Sequence, residues 1–398
     1  MRILQILTYY RPHISGLTIY VERLARGLAQ AGHQVTVLTS QFDPALPLAE
    51  TQEGVVIVRA PVSLRLSKGV IMPTFGFMAR WLMRGHDVLH FHLPQFDGAG
   101  LALNARVQRK PSLLTYHCDL ELPSGGFNRV VEPVVHGANH IAARLVDKVV
   151  AYTDDYAQHS PFLSRYMHKL RVIPPPVEVV SPSAADLSAF AEKFQLRGAN
   201  CNPQPATCNL PPAPIIGMAA RLATEKGVEV LVDALEIVRQ TYPAARVLFA
   251  GPYKNVLGEE AYAARLQPRF AALGDHWTFT GSLKGAELSA FFASCDMTIL
   301  PSLNSTESFG LVQVESMLCG TPSICSNLPG VRTSVQRTGM GQVVPIGDAA
   351  ALAAAIMQMY ANRSAFVRPR HEIEQFYSTA QSVQGYEQLY RELTNSGA

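Results

Sequence analysis

Two glutamates enclose seven residues in the run Thr306-Glu307-Ser308-Phe309-Gly310-Leu311-Val312-Gln313-Val314-Glu315. The run follows an apolar strand and opens a helical stretch. Glu307 therefore falls at a strand-to-helix turn and Glu315 further along the helix. At ~1.5 Å rise per residue the two groups can lie up to about 12 Å apart. That span suits a ligand with a polyol at each end and anionic charge between them. The helix N-terminus offers free backbone N–H groups and a dipole that favours phosphate, and Gly310 lets the backbone approach closely. The bland alternative is an ordinary helix with one capping and one exposed glutamate. The whole strand–turn–helix setting leaves it well behind.

A second constellation is Gly217-Met218-Ala219-Ala220-Arg221-Leu222-Ala223-Thr224-Glu225-Lys226-Gly227. Arg221 and Lys226 flank a turn that follows a strand. An Arg as a planar fork and a Lys as a point charge suit a diphosphate, although loop cations are common. A third is the loop Tyr9-Tyr10-Arg11-Pro12-His13-Ile14-Ser15-Gly16, a glycine-containing turn where Rossmann-like units approach phosphate. It lacks the full dinucleotide fingerprint. A fourth is histidine-rich: His90 and His92 alternate on one strand end and face the same way, and His117 and Asp119 follow another. Such a set could ligate a metal, but histidines that merely line a cleft are the favoured reading.

Residues 307–315, with the Phe-Gly after the first glutamate, resemble the mark of the retaining glycosyltransferases of family 4 (glycosyl transferases group 1), which have the GT-B fold. Residues 217–227 are similar to that family's Gly-Arg-Leu…Glu-Lys-Gly pattern, with Ala220 where glycine is usual. The resemblance implies that Glu307 holds the donor sugar hydroxyls with Phe309, Gly310 and Leu311 beside it. It implies that Glu315 holds the ribose and that Arg221 and Lys226 grip the diphosphate. Phe249-Ala250-Gly251-Pro252 and Thr280-Gly281-Ser282-Leu283 resemble the nucleobase-side loops, which makes Gly281 and Leu283 candidates there. Gly16 is expected to approach the donor phosphate or sugar, with Ser15 replacing one of two customary glycines. His117 is the candidate for positioning donor or acceptor. The implied reaction moves a sugar, with retention, from a UDP- or GDP-sugar to a hydroxyl of a glycan or lipid-linked glycan. It uses no protein nucleophile, no cofactor and no tightly bound metal. On these roles, losing Glu307 is expected to leave affinity for free nucleoside diphosphate nearly unchanged, whereas losing Glu315 weakens it. A non-catalytic sugar-nucleotide sensor and a phosphorylase or epimerase on the same fold remain alternatives, the phosphorylase without an identified pyridoxal phosphate lysine.

The elements that must position these residues read as alternating strands and helices, the pattern of parallel sheets. Ile3–Leu7, Gln34–Leu38, Val88–Phe91, Leu113–Tyr116 and Val149–Tyr152 read as strands of a first half. Ile215–Ala219, Val247–Ala250, Trp277–Thr280, Met297–Leu300 and Ser323–Ser326 read as strands of a second. Leu17, Val21, Leu24 and Leu28 mark one helix face, and Val383, Tyr386, Leu389 and Tyr390 another. Pro174-Pro175-Pro176 and the Pro- and Asn-rich residues 197–214 mark the connection. The expectation is an α/β GT-B protein of two Rossmann-like domains with a central cleft. Residues 1–178, joined by a returning helix at 371–398, form the acceptor side, and residues 179–370 form the nucleotide-sugar-binding side.

A chain of 398 residues, 48% hydrophobic and 16% charged, has enough apolar surface for two such cores. A formal charge of +3 is too small to imply nucleic-acid binding. Of the six cysteines Cys201 and Cys208 flank a Pro- and Asn-rich stretch, and free buried thiols in a reducing compartment are expected. No apolar run reaches membrane-spanning length, so the expected location is the cytoplasm. Peripheral contact with the inner face of the membrane stays open. It is suggested by Arg65, Lys68, Arg80 and Arg84 interleaved with Phe77 and Trp81, and by His136, His140, Arg144 and Lys148 read as one helix face.

Overall fold

Each half of the chain folds its short apolar runs into the middle of a sheet. The computed structural model describes residues 1–66, 69–120, 128–196 and 213–395. The chain divides into one unit of Met1–Val177 with the segment from Tyr377 onward, and a second of Glu178–Phe376.

The first unit holds β1 (Arg2–Ile6), β2 (Gln34–Gln41), β3 (Ala49–Gln52), β4 (Val55–Pro61), a small hairpin of β5 (Leu64–Leu66) and β6 (Gly69–Ile71), β7 (Val88–Leu93), β8 (Ser112–Tyr116), β9 (Lys148–Ala151) and β10 (Leu170–Val172). Eight of these form one sheet in the order β10-β9-β8-β7-β1-β2-β4-β3. All neighbours are parallel except β3, which the Glu53-Gly54 turn folds back against β4. Ile3 and Leu4 of β1 are wholly buried, as expected for a parallel strand covered on both faces. The second unit holds β11 (Ile215–Ala219), β12 (Arg246–Ala250), β13 (Trp277–Gly281), β14 (Met297–Leu300), β15 (Ser323–Ser326) and β16 (Gly341–Val344). These form a fully parallel sheet in the order β13-β12-β11-β14-β15-β16.

Several details depart from the sequence reading. β3, β4, β10, β16 and the hairpin were not expected. They are short or lie towards sheet edges, where pairing rather than pattern decides the strand. Lys148 is not on a helix: the helix ends at Leu145, and Lys148 opens β9. His136 and His140 of that helix are half-buried and bonded within the unit, His136 Nε2 to the Leu120 carbonyl and His140 Nδ1 to the Tyr166 hydroxyl. Most of the irregular segment 197–214, with Cys201 and Cys208, lies outside the described residues. Cys118, Cys295, Cys319 and Cys325 are thiols without a disulfide.

The return to the first unit begins at Tyr377 rather than at 371. Arg370 donates to the Val179 carbonyl and the Ser181 hydroxyl, and Ile373 is buried, so this stretch stays with the second unit. The helix Thr379–Asn395 then buries Val383, Tyr386, Leu389 and Tyr390. Its close approach to the helix Gly16–Gln30 needs Gly27, where a Cβ would stand 2.6 Å from a Val383 methyl. The Tyr386 hydroxyl meets the Tyr20 hydroxyl at 2.6 Å and Thr115 Oγ1 at 2.7 Å, all within the core. Tyr386→Phe should strand the Tyr20 hydroxyl and leave Thr115 only its bond to His90, at about 1–3 kcal/mol, and lower the melting temperature by several degrees. An unchanged thermal midpoint would show that these hydroxyls do not hold the last helix.

Candidate active site

In the second unit the sheet order reverses between β11 and β14, and the loops leaving their C-terminal ends lie side by side. Open α/β sheets bind ligands at such a switch point. The first loop carries Arg221 and Lys226, the second Glu307, and the helix Leu311–Leu318 starts where the second loop ends. Gly227 and Gly310 both take positive φ, at 63° and 78°. A Cβ at Gly227 would stand 2.2 Å from the Pro301 carbonyl oxygen. At Gly310 a Cβ would stand 2.5 Å from a Leu300 methyl. The Leu303 N–H donates to the Glu225 carbonyl at 2.9 Å, which ties the two loops together.

Held this way, Lys226 Nζ lies 2.6 Å from Glu307 Oε2, with only 16% and 18% of the two side chains exposed. The other carboxylate oxygen of Glu307 accepts from the Gly310 N–H at 3.0 Å. Arg221 is more open to solvent and pairs with Glu225 at 2.7 Å. Beneath the cationic loop Glu259, itself buried, accepts from both the N–H and the hydroxyl of Thr224 at 2.9 and 2.7 Å. The sequence reading missed Glu259. It lies between two loops at the start of a helix, and only its fold partner distinguishes it from the neighbouring Glu260.

Glu315 is buried just past the first turn of its helix rather than solvated. Phe309, expected beside the donor sugar, turns its ring into the core and is 1% exposed. An apolar ring at a tight turn is driven inward, so Phe309 can meet a ligand only through its backbone. Leu311 is half-buried at the helix start. Gly251 packs so closely on Ala220 that a Cβ would stand 2.0 Å from the Ala220 carbonyl oxygen. The Gly251 N–H donates to the Gly281 carbonyl at 2.8 Å, joining the two loops expected on the nucleobase side. Gly281 has φ 76°, and Leu283 is half-buried against the Phe291 cluster.

In the first unit, Gly16 opens its helix behind Ser15, which caps it through a capping box with Thr18. The serine that replaces a customary glycine thus has a structural task. A Cβ on Gly16 would meet no protein atom within 4 Å. His117 is buried: its Nε2 lies 3.0 Å from His92 Nδ1, and its Nδ1 pairs with the Tyr152 hydroxyl. His90 bonds the Tyr390 hydroxyl at 2.9 Å and Thr115 Oγ1 at 2.7 Å. Asp119 stands apart from the imidazoles' bonds, accepting from the Ser160 hydroxyl at 2.7 Å. Among the described residues no three His, Cys, Asp or Glu side chains converge as metal ligands would. Burial pushes the His117 imidazole down to about 3. Burial, reinforced by neighbouring imidazoles, holds His90 and His92 well below the ordinary range.

A family model described as Glycosyltransferase Family 4 matches residues 14–181, and one described as Glycosyl transferases group 1 matches residues 209–376. The phosphatidyl-myo-inositol mannosyltransferase of Mycobacterium leprae is 27% identical, covering 100% of this chain and 98% of its own. Among solved structures, sucrose-phosphate synthase from Thermosynechococcus elongatus superposes with a TM-score of 0.78 at 22% identity, covering 99% of each chain. HepE of Anabaena, solved with UDP-glucose, gives 0.75 at 18% identity over 98% of this chain and 100% of that one.

The buried imidazoles make stability depend on acidity. In the unfolded chain each histidine titrates near ~6.5, whereas in the fold His117 resists protonation down to about 3. The stabilisation is therefore complete above the unfolded value and is lost as the pH falls from there towards 3. Denaturant titrations at pH 7 and pH 5 should show proton uptake on unfolding, and His117→Gln should reduce that uptake by about one proton. Equal pH slopes for both proteins would mean that His117 titrates normally in the folded state.

Proposed function

From the membership of this chain in the family 4, group 1 glycosyltransferases, a GT-B transferase family, we propose that it transfers a sugar, with retention, from a UDP- or GDP-sugar to a hydroxyl of a glycan or lipid-linked glycan. The observation that carries this reading is the pairing of Lys226 with Glu307 beside the start of the helix Leu311–Leu318. A cation, a backbone donor and a carboxylate meet where a diphosphate and a sugar would meet.

In this reading Arg221, Lys226 and the backbone N–H groups from Gly310 onward stabilise the charge left on the nucleoside diphosphate. The bond from the anomeric carbon to the phosphate oxygen breaks, and its electron pair stays with the phosphate. The acceptor oxygen bonds to the same face of the anomeric carbon, and its proton passes to the leaving phosphate. Glu307 accepts from the donor sugar hydroxyls, Glu315 from the ribose, and Gly281 with Leu283 borders the base. On the acceptor-side unit the candidates are Gly16 and His117, the latter as a neutral hydrogen-bonding group rather than an acid. Charge stabilisation by Arg221 and Lys226 needs neither a resident metal nor a cofactor. The UDP-glucose in the HepE structure supports a sugar-nucleotide donor.

A lipid-linked acceptor draws support from the relative named for phosphatidyl-myo-inositol and from the helix Phe75–Gly85. That helix buries Phe75, Ala79 and Met83 but leaves Phe77 76% and Trp81 65% exposed, with Arg80 and Arg84 on the same element. Lys68 of the same stretch lies outside the described residues. Among the described residues no helix is long and apolar enough to cross a membrane. The exposed rings and cations fit contact with the cytoplasmic face of an anionic bilayer.

Two outcomes test these readings. UDP or GDP should raise the melting temperature, and Arg221→Ala should remove most of that shift and slow turnover by roughly 10²–10³. Near-wild-type turnover of the variant would sink the diphosphate assignment. The protein should sediment with anionic vesicles at low salt and less at high salt, and Trp81→Ala should weaken that binding. Absence of binding at every salt concentration would return Phe77 and Trp81 to ordinary surface residues.

A further inference from the structure

Glu307 already occupies the donors that a phosphate would seek. One carboxylate oxygen takes the Lys226 ammonium at 2.6 Å and the other takes the Gly310 N–H at 3.0 Å. An ionised carboxylate, like a diphosphate, only accepts hydrogen bonds, so the two compete for the same partners. The backbones that carry the two partners are held in place, so only the Lys226 side chain is left to move. Lys226 rides on a turn pinned by Glu259 and by the backbone contact at Gly227, and Gly310 is fixed by its positive φ against Leu300.

We propose that the Glu307–Lys226 pair discriminates the intact sugar-nucleotide donor from the free nucleoside diphosphate and favours release of the latter. The proposal rests on the donor-site reading above. An intact donor brings sugar hydroxyls, which donate to Glu307 when its phosphates draw Lys226 away, so every charge remains satisfied. A free nucleoside diphosphate brings no such donors. It adds a terminal phosphate whose second ionisation lies near pH ~6, and so sets further negative charge beside a carboxylate it has just deprived of its cation. Removing a partner from a largely desolvated charge leaves the other uncompensated. The product therefore carries a penalty that the substrate escapes. On the sequence alone, loss of Glu307 leaves the affinity for free nucleotide nearly unchanged; on this proposal it raises that affinity.

Calorimetric titration with UDP, GDP and UDP-glucose separates the possibilities. Glu307→Gln removes the charge and keeps the shape. It should bind free UDP or GDP about tenfold more tightly, while its affinity for the intact donor rises less or falls. Glu307→Ser provides a second variant with the same expectation should the glutamine disturb the turn. Lys226→Ala should weaken nucleotide binding, and in the Lys226→Ala/Glu307→Gln protein the gain should vanish, as coupled residues require. Nucleotide binding unchanged or weakened in both Glu307 variants, with Lys226→Ala still impaired, overturns the discrimination and leaves the donor site standing. Failure of Lys226→Ala to affect nucleotide binding overturns the donor site itself.

Discussion

Two loops that leave neighbouring strands meet at backbone positions open only to glycine, and the charged side chains of the candidate site are arranged on that contact. At Gly227 the Pro301 carbonyl oxygen stands where a side chain would begin. At Gly310 a leucine methyl and the Gln313 amide fill the same space. A bond from the Leu303 N–H to the Glu225 carbonyl joins the two loops. Lys226 is thereby delivered to Glu307 largely out of water, where Coulomb attraction is stronger and an unpaired charge costlier than at the surface.

The first unit solves a different problem. Its sheet buries imidazoles and hydroxyls at positions where apolar side chains would be ordinary, and it satisfies most of them with one another. His90, His92 and His117 reach Tyr390, Thr115 and Tyr152, while Tyr386 joins Tyr20 to Thr115. Such a network rigidifies a core only when its members are paired. Two of the tyrosines come from the final helix, so the core of the first unit is completed by the last residues of the chain. Burial also sets the chemistry available there: an imidazole that stays neutral down to about 3 orients and bonds, but does not take up a second proton at neutral pH.

Class and specificity have different physical footings in this protein. A GT-B fold is shared with structures of 22% and 18% identity, because strand order and the placing of a few loops demand only a pattern of apolar runs and glycines. A substrate is chosen by side chains on variable loops. The relatives accordingly carry names that range from phosphatidyl-myo-inositol mannosyltransferase to 2-deoxystreptamine N-acetyl-D-glucosaminyltransferase.

The amino-acid sequence determined the alternation of strands and helices, ten of the strands, and the two segments that carry Arg221, Lys226, Glu307 and Glu315. These features are local: period, flanking turn residues and short spacings are set within a few residues of chain. It did not reveal the edge strands β3, β10 and β16, whose few residues become strands through pairing with neighbours. The inward ring of Phe309 and the hydrogen bonds of the half-buried His136 and His140 were equally hidden, because both depend on what packs opposite. Tertiary structure alone decided the partners. Lys226 and Glu307 are 81 positions apart, Thr224 and Glu259 are 35 apart, and Tyr20 and Tyr386 are 366 apart. Periodicity carries no record of such distances. A sequence can show that a cation and a carboxylate are present, but only the meeting of two loops at a glycine shows that they already hold each other.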